Sequence, residues 1–263
     1  MQKLLLLLAL VSANSYAATI TQNIGDDAAF NLYMKNLGVP GFQTNTIDYT
    51  QEIFAVQGRI GNNANSGTNE IGLHWNNPAD STPPTSSSAI AGTGSTQFVW
   101  GSASSGASSN ALTNFILQRA GNTITFTFGN TYTASLTDTK AGNVNFIGIR
   151  ARAEANANTS EARIRLNSLN LNGNSIGSTG AYDNANDGTT VVTNFLIAGL
   201  TGDFTLTGTA ALDWNGATQT NSALAFQFKA FEDIPNNVPE PATYLLIGSA
   251  LIAGATRFKS RRR

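Results

Sequence analysis

Two stretches of the chain space their residues in ways that chemistry could use. Gly173-Asn174-Ser175-Ile176-Gly177 has the Gly-x-Ser-x-Gly spacing of a nucleophile elbow, where a serine stands exposed on a strand-to-helix turn. Acyl transfer at such a serine needs a base, and the chain holds one histidine, His74. No helical periodicity follows Gly177, so a Gly-rich hairpin is the expectation. Asp183-Asn184-Ala185-Asn186-Asp187-Gly188 begins like a calcium loop, but the third and twelfth positions, which should carry oxygen ligands, are Ala185 and Asn194. That excludes an EF-hand. A looser calcium site through Asp183, Asp187 and loop carbonyls stands beside the plainer reading of an Asx-rich turn. No other cofactor is expected. Without cysteine there are no disulfides, thiol nucleophiles or thiolate metal sites, and one histidine cannot build a multi-His centre.

Binding chemistry is better represented. Trp75 and Trp100 could each stack on a sugar ring, Trp75 with Asn76 and Asn77 beside it, whereas Trp214 continues an apolar strand face and belongs in a core. Arg150, Arg152, Arg163 and Arg165 lie at period two on two predicted strands. If 144–153 pairs with 161–171, the four guanidinium groups share one sheet face and could grip an anionic polysaccharide through bidentate forks. The alternative is a solvated face balanced by Glu154 and Glu161, whose charges discourage edge aggregation. A glycosidase needs only two carboxylates, yet no convincing acid pair is visible.

These residues must be positioned by strands. From Ile47 onward apolar residues recur with period two: Ile124, Phe126 and Phe128 alternate with threonines, as do Phe204 and Leu206, and Leu224, Phe226 and Phe228 repeat the spacing. Gly121-Asn122, Gly129-Asn130 and Asn172-Gly173 supply the left-handed-tolerant residues of tight hairpins. Roughly eleven strands, at 47–60, 70–75, 96–101, 112–120, 123–128, 131–136, 144–153, 161–171, 191–198, 203–214 and 222–231, predict an all-β, antiparallel two-sheet β-sandwich. One short N-terminal helix is expected over Asp27–Leu37, capped by Asp26 and stopped by Gly38. Segments 61–69, 76–96 and 174–190 read as long loops.

Composition narrows the class further. Charged residues make up 12% of the chain, against roughly 25% in ordinary soluble domains. Asn, Thr, Ser and Gly fill 107 of 263 positions, so polarity comes from neutral hydrogen-bonding groups. Residues 18–237 carry 9 Lys/Arg against 15 Asp/Glu, which excludes a broad basic surface for nucleic acid.

The ends are organised differently. Lys3, the apolar run Leu4–Val11 and small residues at Ser15 and Ala17 describe a secretory signal peptide over 1–17, cut after Ala17 by signal peptidase. The run is too short for the alternative, a bilayer-spanning anchor. At the other end a spacer at 234–237 precedes Val238-Pro239-Glu240-Pro241, then a charge-free hydrophobic helix over 242–256, then Arg257, Lys259, Arg261, Arg262 and Arg263. Fifteen helical residues reach about 22 Å, a strained span that interfacial aromatics and snorkelling cations make feasible. The cationic tail holds its end in the cytoplasm, which leaves 18–233 outside the inner membrane. This order, length and position resemble the PEP-CTERM sorting signal of proteins handled by exosortases. The resemblance implies that a membrane-embedded cysteine transpeptidase recognises Pro239, Glu240 and Pro241, severs the tail and passes the body outward. A plain C-terminal anchor is the alternative.

The later strands are similar to the choice-of-anchor W domain of exosortase-sorted proteins. Ala111–Phe115, Asn143–Arg152, Asp203–Thr209 and Ser222–Gln227 carry the likeness, which spans about 100 to 232. It implies surface display and transfers no catalytic residues. The expectation is therefore an exported, non-catalytic envelope or extracellular-matrix protein, structural or adhesive, that touches the inner membrane transiently and ends at the cell surface or beyond it. A carbohydrate-binding module for exopolysaccharide is the alternative, with a secreted hydrolase third.

Overall fold

The computed structural model describes residues 19–36, 52–60, 69–75, 95–97, 112–130, 132–155, 159–184, 187–216 and 223–232. Segments 1–17 and 238–263 lie outside the described residues, as does Trp100; of Trp75 only the backbone is described. Within the described residues no helix is long and apolar enough to cross a membrane.

The described residues form thirteen strands: β1 (Thr19–Gly25), β2 (Glu52–Ile60), β3 (Asn69–Trp75), β4 (Ser95–Gln97), β5 (Thr113–Ala120), β6 (Thr123–Phe128), β7 (Tyr132–Thr137), β8 (Val144–Glu154), β9 (Thr159–Leu171), β10 (Asn174–Asp183), β11 (Thr190–Ala198), β12 (Phe204–Gly216) and β13 (Leu224–Glu232). One helix, α1 (Asp27–Asn36), follows β1, and a 3-10 turn (Thr139–Asn143) precedes β8. The strands divide into a seven-stranded sheet, β1-β11-β8-β13-β2-β3-β4, and a six-stranded sheet, β10-β9-β12-β5-β6-β7. Every pairing is antiparallel.

The sheets face one another across a single phenylalanine-rich core. Phe115 of β5 lies 4.9 Å from Phe228 of β13, and Phe128 of β6 lies 6.2 Å from Phe226, centroid to centroid. Each fully buried Phe removes apolar surface worth roughly 1.5–3 kcal/mol from water. Near the β3 edge the Tyr132 hydroxyl of β7 accepts from the Leu73 amide at 2.9 Å, which joins the layers by a hydrogen bond. Away from the core, β6 and β7 bridge hydroxyl to hydroxyl: Thr123–Thr137 at 3.0 Å, Thr125–Ser135 at 2.9 Å and Thr133–Thr127 at 3.3 Å. Cross-strand pairs of this kind reinforce a wet sheet face.

The expected sandwich is present, with the hairpin turns where the Gly-Asn and Asn-Gly pairs stand. Asn172 (φ 52°) and Gly173 (φ 84°) form the two-residue turn between β9 and β10, because both central positions require left-handed backbone. The helix also begins at its expected cap: Asp26 Oδ1 accepts from the Ala29 amide at 2.9 Å. Phe30 and Met34 pack on the outward face of the seven-stranded sheet against Phe146, Leu196 and Phe231, a second small core. Gly148 makes room for that contact, since a Cβ there would stand 2.9 Å from the Phe30 ring.

Three expectations are corrected. Among the described residues there are thirteen strands rather than roughly eleven, because β1 and β10 add to the expected set. Segment 174–190 is not one long loop: β10 pairs along β9, using backbone bonds that need few apolar side chains. Strands 144–153 and 161–171 do not pair. β8 bonds to β11 and β13 in one sheet, β9 to β10 and β12 in the other.

Candidate functional site

The separation of β8 from β9 splits the four arginines between two outward faces. Alternation along each strand buries Ile147, Ile149 and Ala151 on β8, and Ala162, Ile164 and Leu166 on β9. The arginines therefore point away from the core on opposite sides of the sandwich. They make no common row.

Each arginine has its own surroundings. Arg150 donates from Nε and Nη2 to Asp27 at 2.7 and 2.6 Å, and Asn194 adds a bond to the same carboxylate at 3.3 Å. Burial opposes the charge on Asp27, but the Arg150 bonds and charge prevail and hold its pKa below the ordinary value. Arg152 donates to Glu154 at 2.7 Å, and Thr190 Oγ1 donates to the same oxygen at 2.8 Å. Arg165 reaches Asp213 of β12 at 2.7 and 3.2 Å. Arg163 differs. Among the described residues it has no carboxylate partner, and its guanidinium lies 5.9 Å from the centre of the Tyr182 ring.

Tyr182 and Gly180 are the residues that sequence reasoning missed. Both lie on β10, opposite Arg163 and Arg165 respectively. Tyr182 is 45% exposed and donates its hydroxyl to Glu161 Oε1 at 2.6 Å. That bond, foremost, raises the phenol pKa above its ordinary value. Beside the ring is a shallow cavity of about 280 Å³, lined by Arg163, Arg165, Asn167, Ser178, Gly180 and Tyr182 together with backbone neighbours. The signal that could have found it is the Asn172-Gly173 turn: a two-residue hairpin requires a returning strand beside β9.

The remaining candidates have structural settings. His74 is 3% exposed on β3 of the seven-stranded sheet, whereas Ser175 stands on β10 of the other sheet. A strand, not a helix, follows Gly173, so the nucleophile-elbow geometry is not formed. Trp214 is 4% exposed and sits in the main core, as its alternation suggested. Asp183 is buried and accepts from the Ala155 amide at 2.6 Å, tying the end of β10 to the end of β8. Asp187 is exposed and accepts from the Thr189 amide at 2.7 Å; hydrogen bonding to Thr189, foremost, lowers its pKa. This is the Asx turn. Among the described residues no three His, Asp or Glu side chains cluster as metal ligands.

A buried cation appears in an unexpected place. Arg119 follows Phe115 and Leu117 on the inward face of β5 and is 1% exposed. It donates to the Val144 carbonyl at 2.8 Å and lies 5.2 Å from the centre of the Phe204 ring. Longer bonds of 3.4 Å reach the Ala141 and Gly142 carbonyls of the 3-10 turn. Burial lowers its pKa, with Asp203 opposing. It plugs one end of the core and fixes the approach to β8.

Comparison of the chain with protein-family models and with curated proteins returns no match.

Proposed function

We propose that this is an exported, non-catalytic β-sandwich protein of the bacterial envelope or extracellular matrix, structural or adhesive, whose C-terminal segment is an export and sorting handle. The observation that carries this reading is the ordered triplet of parts at the carboxyl end. Val238-Pro239-Glu240-Pro241 lacks amide hydrogens at two positions and disfavours helix, so it presents an extended strand to a protease cleft. The apolar 242–256 follows as a short hydrophobic helix, and Arg257, Lys259, Arg261, Arg262 and Arg263 hold its end in the cytoplasm. Together with the signal-peptide pattern at 1–17, this supports reading the sandwich as lying outside the inner membrane. Signal peptidase acts first at Ala17, and an exosortase-type transpeptidase acts later near Pro239–Pro241. The body is then released, or attached, at the cell surface. Four ion pairs among the described residues, Arg150–Asp27, Arg152–Glu154, Arg165–Asp213 and Lys229–Glu52, hold outward charges in place, which suits a scaffold role.

Intact-mass measurement of the protein recovered outside the inner membrane tests the reading. Both terminal segments should be missing. A mature form that keeps Arg261–Arg263 would defeat the sorting claim. Replacing Pro239 and Pro241 by alanine should trap full-length protein in the membrane. A second reading, carbohydrate binding, is favoured by the Tyr182–Arg163 cavity.

A further inference from the structure

We infer that the shallow cavity between β9 and β10 is a subsite for one carboxylate-bearing sugar residue of an acidic polysaccharide. The inference deepens the carbohydrate-binding reading and rests on it; it does not depend on how the chain is exported. Two arginines and no carboxylate line the cavity. The two arginines are not equivalent. Arg165 is neutralised by Asp213 at 2.7 Å, whereas Arg163 faces the cavity with no carboxylate partner among the described residues.

Arg163 is also held ready. Its guanidinium lies over the Tyr182 ring, 5.9 Å from the ring centre, and the ring is fixed at its far end by the hydroxyl bond to Glu161 at 2.6 Å. A guanidinium stacked on an aromatic keeps its fork geometry and loses less freedom when a carboxylate docks. Glu161 lies beyond the hydroxyl and does not line the cavity. Residue 180, in the cavity wall, is glycine. A Cβ there would collide with the Ile164 carbonyl oxygen, so the strands approach too closely for any side chain. Along the other wall, Ser178 Oγ accepts from the Ser168 amide at 3.1 Å and keeps its own hydrogen to donate, while the Asn167 side chain offers a donor and an acceptor. At about 280 Å³ the cavity lies just below the roughly 300–1,000 Å³ of enclosed ligand sites, which suits a single ring of a chain that runs on across the sheet.

The sugar carboxylate pairs with the Arg163 fork, ring hydroxyls meet Asn167 and Ser178, and the sugar face lies over Gly180 beside the exposed edge of Tyr182. Titration calorimetry of the full chain with a six-residue oligouronate, and with a neutral oligoglucoside of equal length, provides the test. The oligouronate should bind roughly tenfold or more tightly than the neutral oligomer, and added salt should weaken it. Arg163→Gln should raise its Kd by about tenfold or more, with Arg163→Lys in between. Arg152→Gln, on the opposite sheet, should change nothing. Equal affinity for the two oligomers, no binding of either, or an Arg163→Gln variant that binds like the parent would each overturn the assignment. Any of these results leaves the maturation experiment untouched, so failure here is distinguishable from failure of the export reading.

Discussion

Arg150 and Asp27, 123 residues apart in the chain, meet through two hydrogen bonds of 2.7 and 2.6 Å. The pair fastens the first turn of α1 to the middle of β8, and a carboxylate in a first helical turn also suits the helix dipole. It anchors the polar end of a helix whose apolar residues, Phe30 and Met34, cover the sheet.

The Asp27 pKa is depressed by folding, so the pair stabilises the native state above the unfolded carboxylate value and loses that contribution as pH falls through the folded one. Asp27→Asn should cost about 0.5–1 kcal/mol at neutral pH, because a half-exposed pair is screened by solvent. The difference between variant and parent should shrink below about pH 4. Urea midpoints at pH 7 and pH 3 check this, and an unchanged gap would remove the ion pair from the account.

Gly148→Ala should destabilise by about 1–3 kcal/mol, since the new methyl meets the Phe30 ring at 2.9 Å. Phe30→Ala should relieve most of that penalty in the double variant. The coupling measured in a double-mutant cycle is the readout, and additive effects would show that the helix does not rest on residue 148.

Arg119→Ala should cost about 3–5 kcal/mol, combining a cavity with orphaned carbonyls at the 3-10 turn. Arg119→Met should cost less, because an apolar side chain of similar length fills the space without a buried charge. Urea midpoints separate the two. Equal losses would mean that the hydrogen bonds, not the packing, dominate.

Trp214→Ala should remove about 3–5 kcal/mol of stability, as expected for a buried aromatic, while leaving oligouronate affinity of the folded fraction unchanged. Calorimetric titration beside thermal melting shows both.

Much of this architecture is legible in period-two alternation and in a few turn dipeptides. Phe126 and Phe128 face inward because Thr125 and Thr127 face water, and Asp26 marks the helix start because its side chain caps Ala29. Alternation reports which side of a sheet a residue occupies. It does not report which sheet. That is why Arg150 and Arg163 read as neighbours although they lie on opposite faces of the sandwich. β10 escaped notice for a related reason: Ile176 and Ala181 are its only buried apolar residues, too few to show a period, and bulges near Gly177 break the register. The same alternation that placed Phe115 and Leu117 inward also places Arg119 there, against the usual preference of charge for the surface.

The order in which strands meet has a consequence for assembly. β13, the last of the described strands, occupies the middle of the seven-stranded sheet between β8 and β2, and β1 finds its partner in β11. Half of this layer is therefore stitched by pairings of very high contact order, which are slow to nucleate. A chain emerging vectorially cannot zip the layer until residues 224–232 arrive, so β2 and β8 wait as unsatisfied edges in the meantime. A truncation before β13 should therefore leave β2 and β8 with exposed edges and yield sticky fragments rather than a smaller domain.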